Sequence, residues 1–327
     1  MPAGCNPAPA PPSASRVSER GSVGPNSSDK RSPPPGGAAA RLQPVSASGS
    51  KIFSPGLLDG QVCLISGAGS GIGRESALEL ARLGAVVVGC GRRKEPVEET
   101  VELIEAAGGT ADAFSCDIRE EDAVAEMIDQ LLDRHERLDV LLNNAGGQFL
   151  APAESISAKG FRTVTELNVQ GTWNMTHAAA TKAFIPQQGG KVISATLSPH
   201  NGMPGMVHSG AARAAVENMM RTLSIEWSRY GIRCVSLALG QFETETLMTK
   251  YPKQMVETMA STIPLGRLGR PEEVAWLVAF LASPAGDFFS GTSITIDGAR
   301  DNWFGSWPPG IGQREGEPLA EERKPKD

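Results

Sequence analysis

The chain has 327 residues, and 40% of them are hydrophobic, so it can bury the core of one large domain or of two smaller ones. Its formal net charge of -6, without a basic stripe, argues against a nucleic-acid-binding surface. No apolar run is long enough to span a bilayer, and the four histidines without paired Cys/His spacing argue against a metal site.

Residues 1–50 are rich in Pro, Ala, Ser and Gly and contain almost no large apolar side chains. Such a segment cannot bury enough surface to offset its chain entropy, so we predict a disordered extension. It lacks the apolar core of a secretory signal, although its Arg and Ser content leaves an organelle presequence open. The five cysteines form no C-x-x-C pair, which favours buried, reduced thiols and a cytoplasmic protein.

From residue 58 onward, strand patterns alternate with helix patterns. Repeated βα units with short links predict one doubly wound α/β domain, in which helices flank a parallel sheet. We place it at residues 51–302, before a C-terminal tail at 303–327. The predicted strands cover residues 62–65, 85–89, 111–115, 140–142, 191–196, 232–238 and 293–296. The predicted helices end at Gly84 in the first unit and then cover residues 96–106, 120–134, 161–183, 209–229 and 271–281.

A glycine-rich turn, residues 66–73, joins the first strand to the first helix. Gly67, Gly71 and Gly73 let the backbone approach a pyrophosphate, which the N–H groups and dipole of the helix N-terminus can hold. We include Ser70 and Ile72 in this predicted cofactor site. The spacing alone is weak evidence, because a tight strand-to-helix turn without a ligand has the same pattern.

The end of the second strand indicates which dinucleotide binds. It reads Gly-Cys-Gly-Arg-Arg-Lys over residues 89–94. An NAD enzyme usually places an acid there for the ribose 2′-hydroxyl, whereas here Gly91 takes that position and three cations follow. An arginine can bind a 2′-phosphate with two hydrogen bonds, so we predict NADP as the cofactor and Arg92 as its phosphate ligand. A solvated basic turn is the alternative.

Further motifs follow the glycine turn. They are Asn143-Asn144-Ala145-Gly146 after the fourth strand, Asn168 in the next helix, Gly240 with Thr244 after the sixth strand, and Gly269–Val274 leading to Asp297-Gly298. Together these residues resemble the short-chain dehydrogenase/reductase family over about residues 55–300. The resemblance implies a Rossmann-like domain, a nicotinamide dinucleotide, hydride transfer, and a homotetramer or homodimer.

The remaining predicted cofactor contacts are Asp117, Ile118, Asn144, Gly146 and Thr244. Asp117 can accept the adenine amino group, or it can cap the next helix. The asparagine side chains can also tie neighbouring strands together. Asn168 is a poor helix former, so we expect a kink or an inward polar contact. The resemblance adds that Asn168 holds a proton-relay water.

The family's Tyr-x-x-x-Lys pair has a different counterpart here. In the matching stretch, residues 208–216, Ser209 stands at the tyrosine and Arg213 at the lysine. The only tyrosines are Tyr230 and Tyr251. A serine hydroxyl is a much weaker acid than a phenol, whereas arginine keeps the positive charge and can still bind the cofactor ribose.

The other predicted catalytic groups are Asn168 and one of two hydroxyls near the end of the fifth strand. Thr196 and Ser198 both remain candidates, and either hydroxyl could merely cap the strand end. For Arg213 the alternative is an ion pair with Glu217, four residues further along the helix.

The Ser/Arg replacement resembles a subgroup that includes peroxisomal trans-2-enoyl-CoA reductases and bacterial citronellol/citronellal dehydrogenases. The shared stretches are residues 55–58, 146–150, 157–160, 202–206 and 208–213. This resemblance implies NADPH-dependent hydride transfer to the β-carbon of a trans-2-enoyl-CoA, with hydrogen-bond donors stabilising the enolate. The alternatives are a dehydrogenase of a terpenoid alcohol or aldehyde, and a non-catalytic NADP-binding protein. The expected partners are an acyl-CoA or small-molecule substrate, not a nucleic acid or a membrane.

Overall fold

A computed structural model describes residues 49–198 and 200–303, apart from the side chain of Lys250. Nearly all of the predicted disordered extension and all but the first residue of the predicted tail lie outside these ranges. The boundaries of those two segments therefore remain predictions.

Seven parallel strands form one sheet. They are β1 Val62–Ser66, β2 Val86–Gly91, β3 Thr110–Ser115, β4 Val140–Asn143, β5 Gly190–Leu197, β6 Ile232–Leu239 and β7 Ser293–Ile296. Their order in the sheet is β3-β2-β1-β4-β5-β6-β7. The chain reverses its direction of winding between β1 and β4, and ligands bind at the carboxyl ends of the strands beside such a point. The predicted doubly wound fold is confirmed.

Helices cover both faces of the sheet. The α-helical segments are α1 Gly71–Arg82, α2 Glu95–Ala106, α3 Glu121–His135, α4 Ala158–Thr165, α5 Gly171–Ala179, α6 Ile185–Gln187, α7 Val207–Glu226, α8 Glu245–Lys250, α9 Lys253–Ser261 and α10 Pro271–Ala282. Apolar side chains of α1, α2 and α10 pack on one face. Those of α3, α5 and α7 pack on the other. Burial on both sides explains why β1 and β4 are continuous apolar runs.

The predicted uninterrupted helix over residues 161–183 is wrong in two respects. The helix begins at Ala158, because the Ser157 side chain accepts the Gly160 N–H at 3.0 Å and caps its first turn. Two π-helical turns, Glu166–Gln170 and Ala180–Phe184, then interrupt it.

Two other regions also differ from the sequence prediction. The helix predicted over residues 209–229 starts at Val207 and ends at Glu226, and a 3-10 turn Ser228–Tyr230 follows it. The short helices α8 and α9 were not predicted, because six and nine residues are too few for a clear apolar periodicity.

The four cysteines in the described residues, Cys63, Cys90, Cys116 and Cys234, are free and buried, as the prediction of reduced and inert thiols requires. Burial raises the pKa of Cys116 to about 11 and that of Cys234 to about 12. A thiol with so high a pKa is protonated and unreactive at neutral pH. Across the described ranges, no helix has the length and apolar character needed to traverse a bilayer.

Candidate active site

The glycine turn at the end of β1 has the geometry of an anion cradle. Gly67 and Gly71 adopt φ angles of +72° and +52°, which disfavour side chains. A methyl group at Gly73 would collide with the Gly67 carbonyl oxygen and lie 2.5 Å from Nδ2 of Asn144. Ser70 makes no side-chain cap to α1, and the first turn of α1 carries no acid. The N–H groups of this turn are thus available to a pyrophosphate, so the residues fit the predicted dinucleotide.

Asn144 and Thr244, two of the predicted cofactor contacts, lie against this turn. Asn144 Nδ2 donates to the carbonyl oxygens of Ser66 at 3.1 Å and Gly67 at 3.2 Å, so its side chain ties β4 to β1. Thr244 caps α8 by accepting the Leu247 N–H, and its methyl carbon lies 3.3 Å from the position of a Cβ at Gly71.

The end of β2 leaves two cations exposed. Arg92 and Arg93 form no ion pair among the described residues, whereas Lys94 pairs with Glu98 at 2.9 Å. Gly91 has little room for a side chain, because a Cβ there would lie 3.2 Å from Val97. The Arg92 guanidinium is therefore free to bind an anion.

Asp117 does not cap α3 as one interpretation proposed. Its carboxylate receives the Arg119 guanidinium, with Nε to Oδ1 at 2.9 Å, and this hydrogen bond lowers the pKa of Asp117 despite partial burial. Helix α3 begins four residues later, after Glu120. The Ile118 side chain is buried against Gly171, so only its backbone can reach a nucleotide.

Arg213 projects from α7 towards the turn after β4. Its Nη1 donates to the Ala195 carbonyl oxygen at 2.7 Å, and a methyl group at Gly146 would collide with its Nη2. The side chain is partly exposed, but protein surrounds the guanidinium, and this burial lowers the pKa to about 10. The group is still a cation at neutral pH.

The alternative ion pair between Arg213 and Glu217 is wrong. Glu217 instead accepts from Thr196 at 3.0 Å and from Arg221 at 3.2 Å. Arg213 has no carboxylate partner within the ranges that the structure describes. Surrounding a cation with protein is costly when no counter-charge is present, which points to a ligand rather than to fold stability.

Asn168 holds the turn after β4 in place. It is fully buried inside the first π-helical turn. Its Nδ2 donates to the carbonyl oxygens of Gly147 at 2.8 Å and Val164 at 2.7 Å, and its Oδ1 accepts the Gly147 N–H at 3.3 Å. The predicted inward polar contact is confirmed, and one Oδ1 lone pair remains for the proposed relay water.

Ser209 is buried one helical turn before Arg213, and its Oγ donates to Oε1 of Gln148 at 3.3 Å. The tyrosines lie elsewhere: Tyr230 ends the 3-10 turn after α7, and Tyr251 follows α8. No phenol therefore stands beside Ser209.

His208, which the sequence interpretation missed, has an unusual environment. The residue is completely buried, its Nδ1 accepts the Ser209 N–H at 2.9 Å, and its ring meets that of Phe149 edge to face at 4.4 Å between centroids. Its Nε2 is buried without a hydrogen-bond partner among the described residues. Leaving a buried donor unpaired costs about 1–3 kcal/mol. The signal available in the sequence was a histidine directly before Ser209 in a chain with only four.

The two candidate hydroxyls at the end of β5 are both committed to carboxylates. Thr196 Oγ1 donates to Glu217, and Ser198 Oγ donates to Oδ2 of Asp297 at 2.5 Å. Both residues are only 4% exposed. Both hydroxyls therefore already have hydrogen-bond partners and do not join Arg213 and Ser209 as open groups. Their catalytic role stays a prediction.

A second missed histidine lies beside these hydroxyls. His200 Nδ1 faces Asp301 at 2.5 Å, and its Nε2 faces Glu217 at 3.0 Å. The hydrogen bond to Asp301, assisted by the charge of Glu217, raises the pKa of His200. This network ties the connection between β5 and α7 to the residues after β7. Among the described residues, no group of three or more His, Cys, Asp or Glu side chains is arranged to hold a metal.

Comparison with known proteins places this arrangement among oxidoreductases. A family model described as enoyl-(acyl carrier protein) reductase matches residues 67–299. A probable 2,4-dienoyl-CoA reductase, (2E)-enoyl-CoA-producing, of Bacillus subtilis is 38% identical over 77% of this chain and 100% of its own length. The peroxisomal 2,4-dienoyl-CoA reductase, (3E)-enoyl-CoA-producing, of Danio rerio is 36% identical over 76% of this chain and 83% of its own. The solved structure of a citronellol catabolism dehydrogenase from Pseudomonas aeruginosa PAO1 is 40% identical with a TM-score of 0.69, covering 76% of this chain and 98% of the other.

Proposed function

The chain belongs to the short-chain dehydrogenase/reductase family, and from that premise we propose an NADPH-dependent reductase of an alkene conjugated to an acyl-CoA thioester. The observation that carries the proposal is the pair on α7: Ser209 and Arg213 stand at the positions matched to the family's tyrosine and lysine. Among the described residues, Arg213 has no carboxylate partner. Reduction of a carbonyl needs an acid for the new alkoxide. Reduction of a conjugated alkene needs donors and positive charge near the thioester oxygen, which these residues can supply.

When bound, NADPH supplies the hydride. Arg213 binds the nicotinamide ribose and places positive charge beside the enolate. Ser209 and Asn168 support the turn after β4 through their bonds to Gln148 and Gly147. We assign the proton at the α-carbon to water, because neither tyrosine of the chain stands beside Ser209.

The preference for NADP is supported by the exposed Arg92 and by the glycine at position 91. A 2′-phosphate bound by one arginine gains a charge-assisted contact that NAD lacks. The pyrophosphate would rest on the first turn of α1, and the nicotinamide ribose would lie near Arg213 and Gly146.

The substrate class is supported by the loop after β4. Phe149 and Leu150 are 40% and 54% exposed and stand next to Gln148, which contacts Ser209. Exposed apolar side chains at the mouth of a polar site suit an acyl chain. The β-carbon of a trans-2-enoyl-CoA is the site of hydride addition that we propose. The 2,4-dienoyl-CoA named for the relatives is the extended form of the same conjugated thioester, so both belong in the assay.

A second candidate is a dehydrogenase of a terpenoid alcohol or aldehyde, because the citronellol enzyme is 40% identical. The test compares NADPH oxidation with trans-2-enoyl-CoA and 2,4-dienoyl-CoA against NADP reduction with citronellol. Activity with thioesters alone supports our proposal, and activity with citronellol alone overturns it. Silence with both, while NADPH still binds, favours a non-catalytic NADP-binding protein.

We also propose a homotetramer or homodimer in the cytoplasm. Support for assembly comes from the region around the edge strand β7. Phe288, which precedes this strand, is 100% exposed. Ile225 is 77% exposed, and its neighbour Ser224 lies beside Gly291, at the start of the same region. Light scattering coupled to gel filtration tests assembly, and a monomer would overturn it.

Reduced thiols support a cytoplasm-like compartment, whereas some relatives are named peroxisomal. Imaging of the tagged full-length chain decides between them.

A further inference from the structure

We propose that His208 is a catalytic hydrogen-bond donor, whose neutral imidazole binds the thioester oxygen of the substrate through Nε2–H. This inference rests on the proposed reduction of an acyl thioester. It assigns a role to the one fully buried imidazole nitrogen beside Ser209 that has no partner among the described residues.

The protonation state of His208 follows from its place in α7. The Nδ1 atom accepts the main-chain N–H of Ser209 at 2.9 Å, in the first turn of a 20-residue helix. An Nδ1 that accepts a hydrogen bond carries no proton, so the single proton of the neutral ring is on Nε2. The imidazole is therefore a fixed, neutral donor.

The location of His208 follows from how the loop after β4 lies along α7. Gly146 contacts Arg213, Gln148 contacts Ser209, and Phe149 contacts His208. The loop thus runs along the first two turns of α7, from Arg213 towards the start of the helix. At the far end of this seam His208 is completely buried, and Phe149, which covers it, is 40% exposed. In the complex that we propose, the alkene of the substrate lies near Arg213 and its thioester lies near His208.

The chemistry needs a donor at that place. When the conjugated alkene gains a hydride, its electron pair moves towards the thioester and the carbonyl oxygen becomes negative. A hydrogen bond from Nε2–H strengthens as this charge develops and so lowers the barrier. A water proton at the α-carbon then restores the carbonyl, so His208 begins and ends the cycle as the same neutral tautomer.

Two substitutions separate this role from a structural one. His208→Asn retains an acceptor for the Ser209 N–H but has no donor at the position of Nε2. His208→Gln places an amide N–H near Nε2 but fits the helix terminus less well. We expect His208→Asn to lower kcat with the thioester substrate by about 100-fold, the effect of losing one oxyanion donor, and His208→Gln to remain within about tenfold. A merely structural capping role predicts the reverse order of the two variants.

The measurements are steady-state kcat and KM with 2,4-dienoyl-CoA and trans-2-enoyl-CoA, NADPH affinity by fluorescence, and melting temperature. We expect NADPH affinity to stay within twofold in both variants. If His208 is a neutral donor, the activities of wild type and His208→Gln change in the same way at alkaline pH. If His208 were a general acid, only the wild type would lose activity at alkaline pH. An Asn variant within threefold of wild type, or the reverse order, overturns the inference alone. A wild-type protein silent with every thioester overturns the proposed function and this inference with it.

Discussion

Replacing Arg213 gives the sharpest test of how the site uses its charge. A pKa lowered to about 10 by burial corresponds to about 3 kcal/mol against the charged form, and solvent access to the partly exposed side chain reduces this to about 1–2 kcal/mol. Against this cost stands the hydrogen bond from Nη1 to Ala195, which contributes about 1.5–3 kcal/mol for a charged donor. The two effects nearly cancel, so Arg213→Met should change the free energy of unfolding without cofactor by less than about 1 kcal/mol.

The same substitution should strongly affect function. Losing one charge-assisted contact to the cofactor ribose costs about 1.5–3 kcal/mol, which weakens NADPH binding by at least tenfold. Losing the positive charge beside the enolate should lower kcat by about 100-fold. Arg213→Lys restores a charge with a different geometry, and we expect partial activity from it.

Chemical denaturation, fluorescence titration of NADPH and steady-state kinetics measure the three quantities. Arg221→Met is the matched control, because Arg221 lies two turns further along α7 and its ion pair among the described residues is with Glu217, at 3.2 Å. This control should leave NADPH affinity and kcat unchanged. If Arg213→Met alters both by less than twofold, or if it only destabilises the fold, the reasoning about this cation is wrong.

Three further predictions concern other parts of the chain. We expect NADPH to bind at least about tenfold more tightly than NADH and Arg92→Asp to reverse this preference; equal affinities in wild type would contradict the role of Arg92. Removing residues 1–48 should leave melting temperature and turnover unchanged. Ser50 is kept, because its hydroxyl donates to the buried Glu79. A clear loss of melting temperature or of turnover would show that the extension packs on the domain. His200 has a raised pKa in the folded state, so its stabilising contribution is complete below about pH 6.5 and is lost as the pH rises through the folded-state value. Its partner Asp301 has a lowered pKa, because hydrogen bonds from His200 outweigh burial, so the carboxylate's contribution is lost only in acid. The melting temperatures of wild type and His200→Gln should therefore become equal above neutral pH, and a constant difference in melting temperature up to pH 9 would refute this.

The fold was predictable because its signals are local. The apolar runs of β1 and β4, the glycines after β1 and the alternation of strand and helix patterns each lie within a few residues of one another. The cofactor turn was predictable for the same reason. At Asn168 the sequence predicted a kink or an inward polar contact, but not the π-helical turn itself or the partner Gly147, which lies 21 residues away.

The interior of the candidate site depends on distant partners, which one sequence does not reveal. Ser198 meets Asp297 across 99 residues, and His200 meets Asp301 across 101. The unpaired Nε2 of His208 is visible only once the surrounding loop is in place. Asp117 was ambiguous for the opposite reason: its partner, Arg119, is two residues away, but both capping and pairing are compatible with that spacing.

The most direct test of the central claim is the rate of NADPH oxidation by the full-length chain with a conjugated acyl-CoA thioester. Citronellal serves as the carbonyl control with the same cofactor. We predict that 2,4-dienoyl-CoA or trans-2-enoyl-CoA drives NADPH consumption and that the reduced thioester appears in equal amount, while citronellal drives none. NADPH consumption with citronellal but with neither thioester would contradict the account.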